Sequence, residues 1–148
     1  MRSKSIHIIE SIVRRILREE EYDYRGSHRA PGKEDGAPLY DLTLNDIYPD
    51  DVYSRRAIDY YGTGLNDRMT YGIILKYKNK PNATVTIFRA VPAEVTSINR
   101  GDWVAITKQY AKDHAEGEEN WKILSLKVKA KDIYTNGDSW DEWGYDPS

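Results

Sequence analysis

The chain has 148 residues, a formal net charge of −2, no Cys and 3 His. That length suits one domain with a real core, and the absence of Cys excludes a thiol nucleophile, a disulfide framework and thiolate metal sites. The balance of 22 Lys+Arg against 24 Asp+Glu lacks the positive excess of a basic-stripe nucleic-acid binder.

His7, His28 and His114 do not show the spacing that sets two ligands on one helix face, so no metal centre is expected. No apolar run is long enough to span a bilayer, and the N-terminus carries no signal-peptide pattern. The expectation is a soluble cytoplasmic protein without a membrane partner.

Ser5 to Glu20 reads as an amphipathic helix. Ile6, Ile9, Val13, Ile16 and Leu17 form its apolar stripe, and Arg14, Arg15 and Arg18 lie away from it. Tyr22 to Asp50 is punctuated by Gly and Pro but holds Leu39, Leu42, Leu44 and several Tyr. That apolar mass predicts an ordered segment wrapped on the domain. Asp50 to Tyr61 predicts a short helical turn, closed by Gly62-Thr63-Gly64. Asn66 to Lys78 predicts a helix with Met69, Ile73, Ile74 and Tyr77 inward and Asn66 or Asp67 at its start.

Thr84 to Val91 is the clearest strand, β-branched and aromatic, and Pro92 ends it. Asp102 to Thr107 is a second strand. Thr107 then caps a helix from Lys108 to about Ala115, with Gly117 past its end. Lys122 to Val128 is a third strand with Leu124, Leu126 and Val128 on one face, and Asp132 to Tyr134 extends it. The tail holds Trp140 and Trp143 and is expected to dock. Helices early and strands late make the fold class α+β.

A few residues depart from their local pattern. Arg89 shares the strand face of Val85, Ile87 and Val91. A buried charge needs a partner, so Arg89 either pairs with a carboxylate or receives an anion. Thr107 is a cap and also stands where ligands bind. Glu142 is a carboxylate between tryptophans, either in a dry, catalytic setting or in a solvated acidic turn. The loop Tyr24 to Pro31 holds Arg25, Ser27, His28 and Arg29. It is a surface turn or the lining of an anion site, and its Gly spacing is not that of a P-loop.

A strand with Arg, a strand ending in a hydroxyl before a helix, a strand, then a Glu: this order resembles the arginine–serine–glutamate class of ADP-ribosyltransferases. It resembles most the phage and mobile-element branch, in Phe88-Arg89-Ala90-Val91-Pro92, in Ile98 to Val104 with Thr107 and Tyr110-Ala111, and in Glu142 to Pro147. Ser27 to Pro31 and Asp35 to Pro38 are similar to that branch as well. The resemblance runs from about Tyr24 to Pro147, with residues 1–21 outside it, and treats 1–148 as one domain.

The resemblance implies an ADP-ribosyltransferase-like fold of small packed sheets with flanking helices. It implies NAD as substrate, no metal, and a host or defence protein, or a nucleic acid, as acceptor in the host cytoplasm. By position, the catalytic residues are Arg89, Thr107 and Glu142. Arg89 holds the phosphate or nicotinamide ribose, Thr107 supports the site, and Glu142 stabilises the charge that develops as nicotinamide leaves. Arg89, Thr107, Trp103, Tyr110, His28 and Arg29 would contact NAD. Trp140 and Trp143 join Trp103 and Tyr110 as expected walls for a flat ligand. The class motif Ser-Thr-Ser is Ala105-Ile106-Thr107 here, and Trp140 stands where a Glu or Gln often precedes the catalytic Glu. Arginine is therefore not implied as the acceptor, and NAD hydrolysis stays open, as does a binding module without chemistry.

Overall fold

Strand β2, Thr84–Pro92, alternates buried and half-buried positions, with Val85, Ile87 and Val91 inward. It pairs antiparallel with β4, Trp121–Lys129, over its whole length, from Thr84 opposite Lys129 to Pro92 opposite Trp121. The computed structural model describes residues 30–62, 64 and 66–148. The helix expected over Ser5 to Glu20, and the loop residues up to Arg29, lie outside the described residues.

A second sheet has four strands in the order β1-β5-β6-β3. These are β1 (Ala37–Pro38), β5 (Ile133–Thr135), β6 (Trp143–Tyr145) and β3 (Trp103–Val104). All pairings are antiparallel. An isolated bridge from Phe88 to Ala105 joins the two sheets through β2 and β3. Phe88 N–H donates to the Ala105 carbonyl at 2.9 Å, and Ala105 N–H to the Phe88 carbonyl at 2.8 Å.

Among the described residues there are three α-helices: α1 (Ala57–Tyr61), α2 (Asp67–Tyr77) and α3 (Lys108–His114). Short 3-10 turns at Leu44–Asp46 and Asp50–Tyr53 lie between β1 and α1, and one at Ala130–Asp132 lies between β4 and β5. The architecture is α+β with small antiparallel sheets and few helices.

The segment rich in Gly and Pro packs as expected: Leu39, Leu42, Tyr48 and Val52 are buried in the core. With them lie Ile74 and Tyr77 from α2, Val85 and Ile87 from β2, Ile133, Trp140 and Trp143. The tail is docked, and its two tryptophans are fully buried.

Some expectations need correction. The strand expected over Asp102 to Thr107 is regular only at Trp103–Val104, because the chain must turn at Ile106 to begin α3. Ile133 to Thr135 does not extend β4. The turn at Ala130–Asp132, held by the Ala130 N–H on the Ala83 carbonyl, redirects the chain into the other sheet. Met69 does not face inward; it is 54% exposed, and Thr70 is buried in its place. Thr70 turns inward because it meets a buried carboxylate, described below. Leu126, expected on the face of Leu124 and Val128, is 37% exposed. Asn66 holds the start of α2 without a capping hydrogen bond from its side chain.

Gly144 sits opposite Trp103 in the centre of the four-stranded sheet. A Cβ there would fall on the Pro31 carbonyl, with Pro31 N also only 2.9 Å away. The close approach of two backbones requires glycine. Gly144→Ala is expected to destabilise the fold by about 1–3 kcal/mol, the usual range for forced overpacking. A urea unfolding curve with an unchanged midpoint would contradict this contact.

Burial pushes the Tyr48 hydroxyl up from 10.0 to about 12. Burial also raises Tyr53, Tyr71 and Tyr134. A raised folded-state pKa means that the neutral phenol stabilises the fold fully below pH 10.0. That contribution is lost as pH climbs from 10.0 to about 12. Tyr48→Phe is expected to flatten the alkaline fall in stability over this window, as read by urea unfolding at stepped pH. Equal slopes for both proteins would count against the burial of an ionisable Tyr48.

Candidate functional site

Three structural elements bring the sequence-predicted residues together around β3. Arg89 leaves β2 one residue beyond the Phe88–Ala105 bridge. Its Nη1 donates to the Trp103 carbonyl at 2.8 Å, and its Nε lies 3.9 Å from Asp102 Oδ2. Both side chains of that pair are about a quarter exposed or less. The arginine on an apolar strand face therefore has the carboxylate partner that burial demands. Asp102 is itself fixed, its Oδ2 accepting from Asn99 N–H at 2.7 Å.

Thr107 is buried at the end of the same segment and caps α3. Its Oγ1 accepts from Tyr110 N–H at 3.2 Å, satisfying one of the free donors at the helix start. Its extended backbone, φ −122° and ψ 140°, is that of a capping residue. Gly117, at φ 83°, lies past the helix end as expected.

Tyr110, one turn into α3, donates its hydroxyl to Glu142 Oε1 at 2.7 Å. Its ring stacks beside His114 at 6.3 Å. Glu142 is half-buried and immediately precedes β6. Trp103 pairs with Gly144 and Val104 with Trp143. One step further along the two chains stand Ala105 and Glu142. Thus β2, with Arg89, and the tail, with Glu142, flank β3 on opposite edges. Neighbouring strands lie about 4.8 Å apart, so the backbones of β2 and β6 are roughly 10 Å apart. By strand alternation Glu142 follows the face of Ala105 and Phe88, and Arg89 follows the other face, that of Val104 and Trp143.

Glu142 is framed by buried residues. Asp141 is 6% exposed and accepts from Thr70 Oγ1 at 2.9 Å. Trp140 Nε1 donates to Asp67 Oδ1 at 3.3 Å, and Trp143 Nε1 to the Trp140 carbonyl at 2.7 Å. Both tryptophans are therefore core residues with satisfied N–H groups. This corrects their expected role as walls for a flat ligand: a side chain with no exposed surface cannot line an open cleft. Trp140 packs against Tyr71, ring centroids 5.4 Å apart. Trp103 and Tyr110 remain half-buried.

His28 and Arg29 lie outside the described residues. The described chain begins at Ala30, and the next residue, Pro31, lies against Gly144, two positions past Glu142. Among the described residues no group of three or more His, Cys, Asp or Glu is placed to hold a metal, and no helix is long and apolar enough to cross a membrane.

Sequence reasoning missed Asp102 as the partner of Arg89, and Thr70 as the partner of Asp141. An Asp just before the second strand was a visible signal for the first. Nothing in the local sequence announces the second, because 71 residues separate the pair.

The chain matches no known protein-family model, no curated protein and no solved structure.

The cap has a measurable weight. Thr107→Val keeps the volume and removes the acceptor, and is expected to lower unfolding free energy by about 1 kcal/mol. Thr107→Ser should recover the capping part. Equal stability of the wild type and the Val variant in urea unfolding would show that the cap contributes nothing.

Proposed function

We propose that this chain is an NAD-dependent ADP-ribosyltransferase of the arginine–serine–glutamate class, with the corresponding fold, acting on a host or defence protein. The observation that carries the reading is the placement of Arg89 and Glu142 on the two sides of β3, the segment that leads into Thr107. That order along the chain is the one on which the sequence resemblance rests, and it supports the reading. NAD is the substrate, the compartment is a host cytoplasm, and the origin in a phage or mobile element follows the branch resembled. A nucleic-acid acceptor is the variant of this reading in which another nucleophile enters the same site.

The chemistry follows from the residue types. The bond between nicotinamide N1 and ribose C1′ breaks, and its electron pair leaves with nicotinamide. Positive charge then develops on C1′ and the ring oxygen. A carboxylate held near the ribose is more favourable to that state than to the ground state, so it lowers the barrier. An acceptor nucleophile then bonds to C1′ and releases its proton to solvent, or water does so in hydrolysis. Arg89 supplies donors for the phosphate or ribose, and it is held in place by the Trp103 carbonyl and Asp102.

A second reading is a module that binds NAD or a protein partner without chemistry. It draws on the commitment of Arg89 to internal partners and on the single hydroxyl left of Ser-Thr-Ser. Incubation of the full chain with labelled NAD and cell lysate separates the readings. Transfer of label or release of nicotinamide, lowered at least about 100-fold by Glu142→Gln, is the expected result for an enzyme that uses electrostatic stabilisation. No transfer and no nicotinamide, with calorimetric NAD binding that survives Glu142→Gln and is lost in Arg89→Ala, would establish the binding module instead.

A further inference from the structure

We infer that the Tyr110 hydroxyl is the positioning group for the Glu142 carboxylate, rather than Tyr110 being a wall on which a ligand ring stacks. The inference rests on the transferase reading of the site. The resemblance gave site support to the hydroxyl at the helix start, Thr107. The structure divides that work between two residues. Thr107 Oγ1 accepts from Tyr110 N–H at 3.2 Å and fixes the start of α3. Tyr110, one turn on, then carries a phenol to Glu142 Oε1 at 2.7 Å.

The distance is that of a well-formed O–H···O hydrogen bond. Its donor is well anchored: Ala111, next in the helix, is buried, and His114 lies beside the Tyr110 ring. The backbone on both sides of Glu142 is anchored as well. Asp141 is buried on Thr70 Oγ1, and Trp143 is buried on the Trp140 carbonyl. A Glu side chain has several rotamers to choose among, and it loses much freedom when it is held in one. Tyr110 makes that choice in advance.

Tyr110→Phe keeps the ring and removes the hydroxyl, so it distinguishes an anchor from a wall. Nicotinamide release from NAD by the full chain is measured for the wild type, Tyr110→Phe, Glu142→Gln and the double variant. The expected result is a fall in kcat of about 10- to 100-fold in Tyr110→Phe, the usual effect of a misplaced group. KM for NAD should stay within about twofold, since ground-state binding is untouched. In the Glu142→Gln background the same change should have little further effect. A wild-type kcat in Tyr110→Phe overturns the inference. So does a raised KM with unchanged kcat, which would place the phenol on NAD itself.

Thermal midpoints of the wild type, Tyr110→Phe, Glu142→Ala and their double variant give a readout that needs no NAD, because alanine, unlike glutamine, leaves the phenol no acceptor. Shifts that add less than fully support the Tyr110–Glu142 bond, and fully additive shifts overturn it. If the wild type releases no nicotinamide, the transferase reading fails and takes the positioning role with it. If the wild type is active and the cycle is additive, only the inference fails.

Discussion

The aromatic tail lies in the middle of a sheet. Strand Trp143–Tyr145 is bounded by β5 on one side and β3 on the other. Without it the four-stranded sheet falls into separate pieces, and β3 loses the neighbour that sets its register. The tail is held there by two fully buried tryptophans. Each Trp removes about 150–250 Å² from water, worth about 4–6 kcal/mol as an upper figure. Their N–H groups are matched to Asp67 and to the Trp140 carbonyl. This burial without polar loss is the constraint on which the sheet, the core and the site depend.

The same constraint ties stability to the site. Glu142 stands between buried Asp141 and buried Trp143, so the segment that seals the core also presents the carboxylate. A buried Asp is costly unless it is bonded. Thr70 meets it from α2, which explains why that helix turns a hydroxyl inward and leaves Met69 exposed. On the other side, β3 is short because the chain must leave the sheet at once to start α3. That early turn brings Tyr110 back over the tail and within reach of Glu142. The pairing order also delays completion of the fold. Strand β1 near residue 37 and strand β6 near residue 145 belong to one sheet, a non-local arrangement of the slow-folding kind.

Local chemistry made much of this legible. The β-branched run from Thr84, stopped by Pro92, is a strand because alternation and propensity agree there. Thr107 is a cap because a hydroxyl before a helical stretch has a donor waiting one turn on. Arg89 stood out because a charge on an apolar face must find a partner, and Asp102 with the Trp103 carbonyl is that partner. Trp140 and Trp143 were legible as docked. Local sequence does not tell a docked tryptophan in a core from one that lines a cleft, since both are apolar and fixed.

The sequence by itself determined the helices Asp67–Tyr77 and Lys108–His114, the strands Thr84–Pro92 and Trp121–Lys129, that the aromatic tail packs, and which few residues carry arginine, hydroxyl and carboxylate chemistry. These follow from periodicity, backbone preference and the cost of leaving polar groups unpaired, all of which act over a few residues. Tertiary structure alone decided that Ile133 leaves the β4 sheet for another, that Trp140 and Trp143 form core, and that Asp141 rests on Thr70. It also decided that Tyr110, rather than Thr107, carries the hydroxyl bonded to Glu142. Such contacts join segments tens of residues apart. They depend on which faces meet when the chain closes, and no local pattern encodes that meeting.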